Sequence, residues 1–304
     1  MSTSAGVPSL ESTYFAGASL QLYSHPPPDC PADEWCSYGK DALVMTRIED
    51  RLNASIARRV PIPSIPTHVS IILNKRLVSS TRRIPHVWTA HIQDSSSDVR
   101  YPLTMVAKIY DPVYFDSEEA EYIDPFALHD LTVSRETEAY RRLEYLQGAK
   151  VPRCYGHFVA PLTAQCDRSV NVVLLEYIHG RNILDLVPRE LVETLCSTHK
   201  DALIDAALRL YFEIYACGVV QADMQPRNVM LRCAKHENAP FCSTEGCPLF
   251  SEMDCEDIQM VMVDFEDVEF REPDSDFSDP ITQENHVEKV KPIYLEKWLM
   301  NEMA

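Results

Sequence analysis

Glycine is scarce in this sequence: there are eight among 304 residues, and none lies between Gly39 and Gly148. Phosphate-cradling loops and dinucleotide folds need closely spaced glycines, because the backbone must turn through positive φ and approach the phosphates without a Cβ in the way. No Walker A run and no G-x-G-x-x-G run occurs anywhere, which excludes P-loop and Rossmann architectures. With 45% hydrophobic residues, the chain holds about two domains' worth of core-forming sequence. No apolar stretch approaches the roughly 18 residues that cross a bilayer, so the sequence predicts no membrane partner. The balance of 28 Lys+Arg against 46 Asp+Glu gives a net charge of −18, which disfavours nucleic acid and anionic lipid, both of which need a cationic face.

Ten cysteines, together with opening residues that carry no Lys or Arg before Lys40, predict a reducing, cytoplasmic setting without a secretory or mitochondrial address. Residues 1–40 are Ser- and Pro-rich, lack a sustained period and read as a disordered tail; Pro26-Pro27-Pro28 lies within them. Leu43, Ile48, Leu52, Ile56 and Val60 recur at helical spacing after Asp41, a plausible N-cap, until Pro61 and Pro63 end the pattern. Val69–Leu73, Val87–Ile92 and Met105–Ile109 read as three antiparallel strands, and Val172–Leu175 as a further one. The stretch from Asp111 to Asp130 holds seven acidic and no basic residues and reads as a solvated insertion. Leu131–Leu146 is helical in period, and Leu191–Cys217 contains two helical patterns broken near Ser197-Thr198.

The chemistry-bearing residues stand in a definite order. Asp223-Met-Gln-Pro-Arg-Asn228 follows the second helical pattern, and the apolar run Met260-Val-Met-Val leads into Asp264-Phe265-Glu266. Upstream lie Val-Ala-Lys108-Ile on a strand, Glu136 on the next helix and Leu-Leu-Glu176-Tyr-Ile178 after a further strand. These five landmarks over residues 65 to about 270 resemble the protein-kinase-like superfamily. The closest likeness is to its divergent fungal members, in which a helix carrying Glu, Ala and Tyr leads into a Leu-Gln-Gly and Pro-x-x-Tyr-Gly segment. Here these are Glu136 to Tyr140, Leu146-Gln147-Gly148 and Pro152 to Gly156. Aminoglycoside and choline phosphotransferases share the style after the aspartate.

The resemblance implies an α+β, bilobal kinase-like fold: a small antiparallel β-sheet N-lobe with one main helix, and a mostly helical, shortened C-lobe. The corresponding domains are residues 1–64 as tail plus one amphipathic helix, 65–180 as N-lobe and hinge, and 181–304 as C-lobe with a Cys-containing insertion at 232–258. It also implies ATP and Mg as cofactors, and transfer of the γ-phosphate to a hydroxyl of a protein or a small molecule. Such transfer is mostly positioning and charge neutralisation, so it needs a cation on the phosphates, oxygen ligands for magnesium and an acceptor for the hydroxyl proton. By resemblance, Lys108 contacts the α/β-phosphates and pairs with Glu136, with Glu138 as the competing carboxylate. Asp223 orients and deprotonates the acceptor, Asn228 and Asp264 hold magnesium, and the backbone of Glu176 and Ile178 receives adenine.

The sequence also departs from that pattern. Without glycine in the first hairpin, backbone N–H groups cannot blanket the phosphates, and Lys75, Arg76, Ser79, Ser80, Thr81, Arg82 and Arg83 are the alternative donors. Gln221-Ala222 precedes Asp223 where a histidine is usual, and Glu266 replaces a glycine after Asp264-Phe265. Between Asn228 and Asp264, Cys233, His236, Cys242, Cys247 and Cys255 are zinc-type ligands without a paired C-x2-C knuckle, so free cysteines in a variable loop compete with a structural zinc. Three functional classes stay open: a phosphotransferase, a nucleotide-binding pseudokinase scaffold, and an interaction protein that presents its acidic stretches.

Overall fold

Ser19-Leu-Gln-Leu-Tyr-Ser24 alternates apolar and polar, and in the computed structural model it forms a strand, β1 (Ser19–Ser24), with Leu20 and Leu22 buried. The structure describes residues 9–29, 36–38, 43–61, 68–77, 85–93, 101–232, 247, 249 and 258–299. Two units divide the chain: Met1–Thr137 with Cys154–Tyr177, and Glu138–Arg153 with Ile178–Ala304.

In the first unit, β1 joins β2 (His68–Arg76), β3 (His86–Ile92), β4 (Met105–Tyr110), β5 (Cys154–Leu162) and β6 (Arg168–Glu176). The sheet runs β1-β2-β3-β4-β6-β5 and closes on itself, with every neighbouring pair antiparallel. This corrects the expected fold class. A small open sheet in a bilobal kinase-like plan is not what forms; the strand from the Ser/Pro-rich opening pairs with β2 on one side and β5 on the other, turning an open sheet into a six-stranded barrel. Leu22, Ile71, Leu73, Ala90, Met105, Ala107, Ile109, Val172 and Leu174, all fully buried, fill its interior. A short helix, α1 (Leu10–Thr13), adds Leu10, and Tyr14 follows it into the same core.

The amphipathic helix predicted from Asp41 is shorter than its period, α2 (Ile48–Ala57). Its Arg51 is buried and donates to the carbonyls of Met45, Thr46 and Val113. The acidic stretch from Asp111 is not wholly a solvated insertion either, since Asp111, Val113, Tyr114, Phe115 and Ala120 are buried. Helix α3 (Pro125–Arg142) continues from it and passes from the first unit into the second.

The second unit also departs from a mostly helical plan. Strands β7 (Gly180–Asn182), β9 (Val229–Arg232) and β10 (Met260–Met262) form an antiparallel sheet in the order β10-β9-β7, and β8 (Val219–Gln221) pairs with β11 (Val268–Phe270). Helices α4 (Ile183–Leu186), α5 (Ser197–Ala216) and α6 (Pro280–Lys297) belong to the same unit, together with short 3-10 turns. In α5, Leu203, Ile204, Ala207, Leu208, Leu210 and Ile214 make the buried face, at the spacing a 3.6-residue period requires. Gly218 ends that helix at φ +78, and a Cβ there would run into the Arg271 carbonyl. Among the described residues, no helix is long and apolar enough to cross a membrane.

Candidate functional site

In the first unit, successive residues of β4 point to opposite faces. Met105, Ala107 and Ile109 enter the barrel core, which sends Lys108 and Tyr110 to the other face, where both are nonetheless buried. Lys108 Nζ lies 2.7 Å from Glu136 Oε1, the lysine side chain 6% exposed and the glutamate fully buried. Tyr110 donates its hydroxyl proton to Glu136 Oε2. An ion pair shielded this far from water carries a desolvation cost that Coulomb attraction barely offsets, so the added tyrosine hydrogen bond is part of what makes the pair tenable.

The two glutamates left open by the sequence separate here. Residues two apart on an α-helix point about 200° apart, so only one can face β4. Glu138 instead takes Arg141 at 2.6 Å and Arg142 at 2.8 Å. Hydrogen bonds from Arg141 above all, then from Arg142, hold its carboxyl down at about 2.

In the second unit, the loop after β8 is built around Asp223. Arg227 Nη2 lies 2.6 Å from Asp223 Oδ2, and Asn228 Nδ2 donates to both that oxygen and the Asp223 carbonyl, each at 2.9 Å. With the amide nitrogen spent on two acceptors, Asn228 Oδ1 is left as an oxygen donor, and its residue is buried. The Val263 N–H donates to the Asn228 carbonyl at 2.9 Å, and Val229 stands opposite Met262 in the β9/β10 ladder. Asn228, just before β9, and Asp264, two residues after β10, are thereby brought to the same end of one antiparallel pair.

Asp264 has φ +69, a left-handed conformation that costs a non-glycine residue of order 1 kcal/mol or more and persists where surroundings impose it. Phe265 is one such constraint: it is fully buried and meets Tyr140 edge-on at 5.3 Å. Gln221 is another. Its Nε2 donates to the Asp264 carbonyl at 2.6 Å, and its Oε1 accepts from the Asp223 N–H at 3.2 Å. The residue that stood out as a departure is therefore a clamp between the two aspartates' backbones. Glu266 places its carboxylate within 4.8 Å of Asp264's.

A buried amide oxygen and a carboxylate fit magnesium, which takes hard oxygen ligands and few from protein. Glu176 closes β6 opposite Met105, and Ile178, buried, opens the next stretch of the second unit. Lys75 and Arg76 end β2, whereas Ser79, Ser80, Thr81, Arg82 and Arg83 lie outside the described residues, as do Cys233, His236, Cys242 and Cys255. Sequence reasoning missed Tyr110 and Arg227, and marked Gln221 only as a departure without its role as a clamp. For Arg227 the signal was present, an acid and a base four residues apart. For Gln221 it was not, because one of its partners is the backbone of a residue 43 positions away.

No family model and no curated protein matches the chain. Among solved structures it is similar to one described as WaaP in complex with acyl carrier protein, with 11% identity over 83% of this chain and 90% of that one and a TM-score of 0.38. At that distance the likeness carries no functional argument, which leaves the local geometry to do so.

Proposed function

We propose that this protein is an ATP- and magnesium-dependent phosphotransferase that moves the γ-phosphoryl group to a hydroxyl of a protein or small molecule. What carries the reading is the second unit's loop: Asp223 tied to Asn228, and Asn228 delivered with Asp264 to one end of the β9/β10 pair. Magnesium, when bound, supplies charge neutralisation on phosphate oxygens. Asn228 Oδ1 and the Asp264 carboxylate are its protein ligands. Asp223 orients the acceptor hydroxyl and takes its proton, and Lys108, held by Glu136 and Tyr110, meets phosphate oxygens. Glu176 and Ile178 offer their backbone groups to adenine.

One observation favours a second reading, a nucleotide-binding scaffold without turnover: the Asp223 carboxylate is already held by Arg227. As a base it must exchange that partner for the acceptor's proton. Thermal shift with Mg·ATP and slow ATP turnover separate the readings. A phosphotransferase shows both, and Asp223→Asn lowers turnover by about 10²–10⁴-fold, the worth of a positioned base, while the shift is kept. Stabilisation with no turnover in either protein establishes the scaffold. No stabilisation at any magnesium level overturns both.

A further inference from the structure

In the second unit, three side chains outside the Asp223 loop converge on one point. Cys196 is the N-cap of α5 and His199 lies in that helix's first turn, so the two share a face at i,i+3 spacing. Cys247 comes from the connection between β9 and β10. His199 is fully buried, Cys247 is 5% exposed and Cys196 is half-buried. The Sγ atoms of Cys196 and Cys247 each lie 3.2 Å from the same nitrogen, His199 Nδ1. All three atoms lie within 4.8 Å of one another.

Hydrogen bonding does not account for this convergence. A ring nitrogen has one in-plane direction, occupied either by a proton or by a lone pair, and it serves one sulfur well, not two. A tetrahedral metal does account for it. With Zn–S about 2.3 Å and Zn–N about 2.0–2.1 Å, the S–N edges of the tetrahedron come to about 3.6 Å and the S–S edge to about 3.8 Å. The two S–N spacings of 3.2 Å fall about 0.4 Å short of that edge, and the two sulfurs lie within the 4.8 Å that holds all three atoms.

We infer that Cys196, His199 and Cys247 form a zinc site. Two thiolates and an imidazole are soft and borderline donors that select zinc over the hard, oxygen-seeking magnesium. Each thiol releases its proton to solvent on binding, and His199 coordinates through the Nδ1 lone pair with its proton on Nε2. The ion pins the connection between β9 and β10 to the first turn of α5. Asn228 directly precedes β9 and Asp264 follows β10, so Cys247 belongs to the part of the chain that joins those two residues. The zinc site does not depend on the phosphotransferase reading.

Full-length protein dialysed against metal-free buffer should retain one zinc per chain. Its cobalt-exchanged form should show a thiolate-to-cobalt charge-transfer band and the intense visible bands of a tetrahedral ion. Cys196→Ser, Cys247→Ser and His199→Leu should lose the metal, Cys217→Ser should keep it, and His199→Cys should restore a tetrahedral site with an added thiolate. Should the losing variants fail to fold, chelator added to the unaltered protein gives the same reading by lowering its thermal midpoint. A folded protein without zinc, a Cys196–Cys247 disulfide found by mass, or zinc retained in both serine variants overturns the assignment.

Discussion

Asp111 and Arg168 lie side by side with both side chains fully buried, joined by two bonds of 2.8 Å. Tyr14 adds its hydroxyl to Asp111 at 2.7 Å, and Gln165 accepts from Arg168 Nε at 2.6 Å. Burial pushes the Asp111 carboxyl up, but the guanidinium's charge and hydrogen bonds outweigh it and leave the group below its ordinary range. Removing one partner strands the other's charge, so Asp111→Asn should cost about 3–5 kcal/mol in denaturant unfolding; a loss under about 1 kcal/mol would contradict the account. Burial also holds His129 down to about 3 and His86 to about 4. The unfolded chain takes up protons near 6.5, so the contribution of each neutral histidine is complete above that pH and is lost as pH falls through 4 and 3. The slope of stability against pH should reach up to about 1.4 kcal/mol per unit for each histidine. His129→Leu should flatten that slope between pH 6 and 4 in urea titrations, and an unchanged slope would mean that carboxylates alone govern it. Of the two acids weighed as the magnesium ligand under the proposed function, Asp264 has the constrained backbone and Glu266 only proximity. Asp264→Asn should therefore abolish the magnesium-dependent part of the ATP thermal shift while Glu266→Gln keeps most of it; the reverse would move the ligand two residues along.

At the scale of elements, β1 decides the architecture. It buries two leucines, one fully, and pairs with strands that begin about 45 and 130 residues further on. Leu22→Ala should cost about 2–5 kcal/mol by leaving a cavity inside a closed sheet. Removing residues 1–24 should expose two sheet edges and drive self-association, readable by light scattering; a monomer of unchanged stability would show that closure is incidental. The same strand marks where the sequence stops being legible. Strands β2, β3 and β4 announce themselves through branched residues bounded by Pro, Asn and Ser, and β6 through a continuous apolar run. β1 offers one short alternation among Ser and Pro, and its pairing is non-local, so the barrel was invisible although most of its staves were not. That Asn228 and Asp264 come to the same end of one strand pair was foreshadowed by their order along the chain, each placed beside an apolar run, although 36 residues separate them. The choice between Glu136 and Glu138 needed the helix's rotation against β4, and Cys196 with His199 needed Cys247, 48 residues away, to become a cluster.

At the scale of the whole molecule, the net charge of −18 sets the far field that a charged ligand meets. Lys108 does little to offset it, being buried and neutralised by Glu136, so its attraction is confined to contact range. Mg·ATP is itself an anion and approaches against this field under the proposed function. Salt shortens the reach of that repulsion, from about 30 Å at 0.01 M to about 8 Å at 0.15 M, while leaving a buried contact little changed. The association rate of Mg·ATP should consequently rise with ionic strength over this range, the opposite sign to a protein that steers polyanions with a basic face. Stopped-flow binding at constant magnesium, with salt as the only variable, reads that sign directly. A rate that falls steeply with salt would place an effective cationic funnel on the approach path, and basic side chains beyond Lys108 would then belong to the nucleotide's entry.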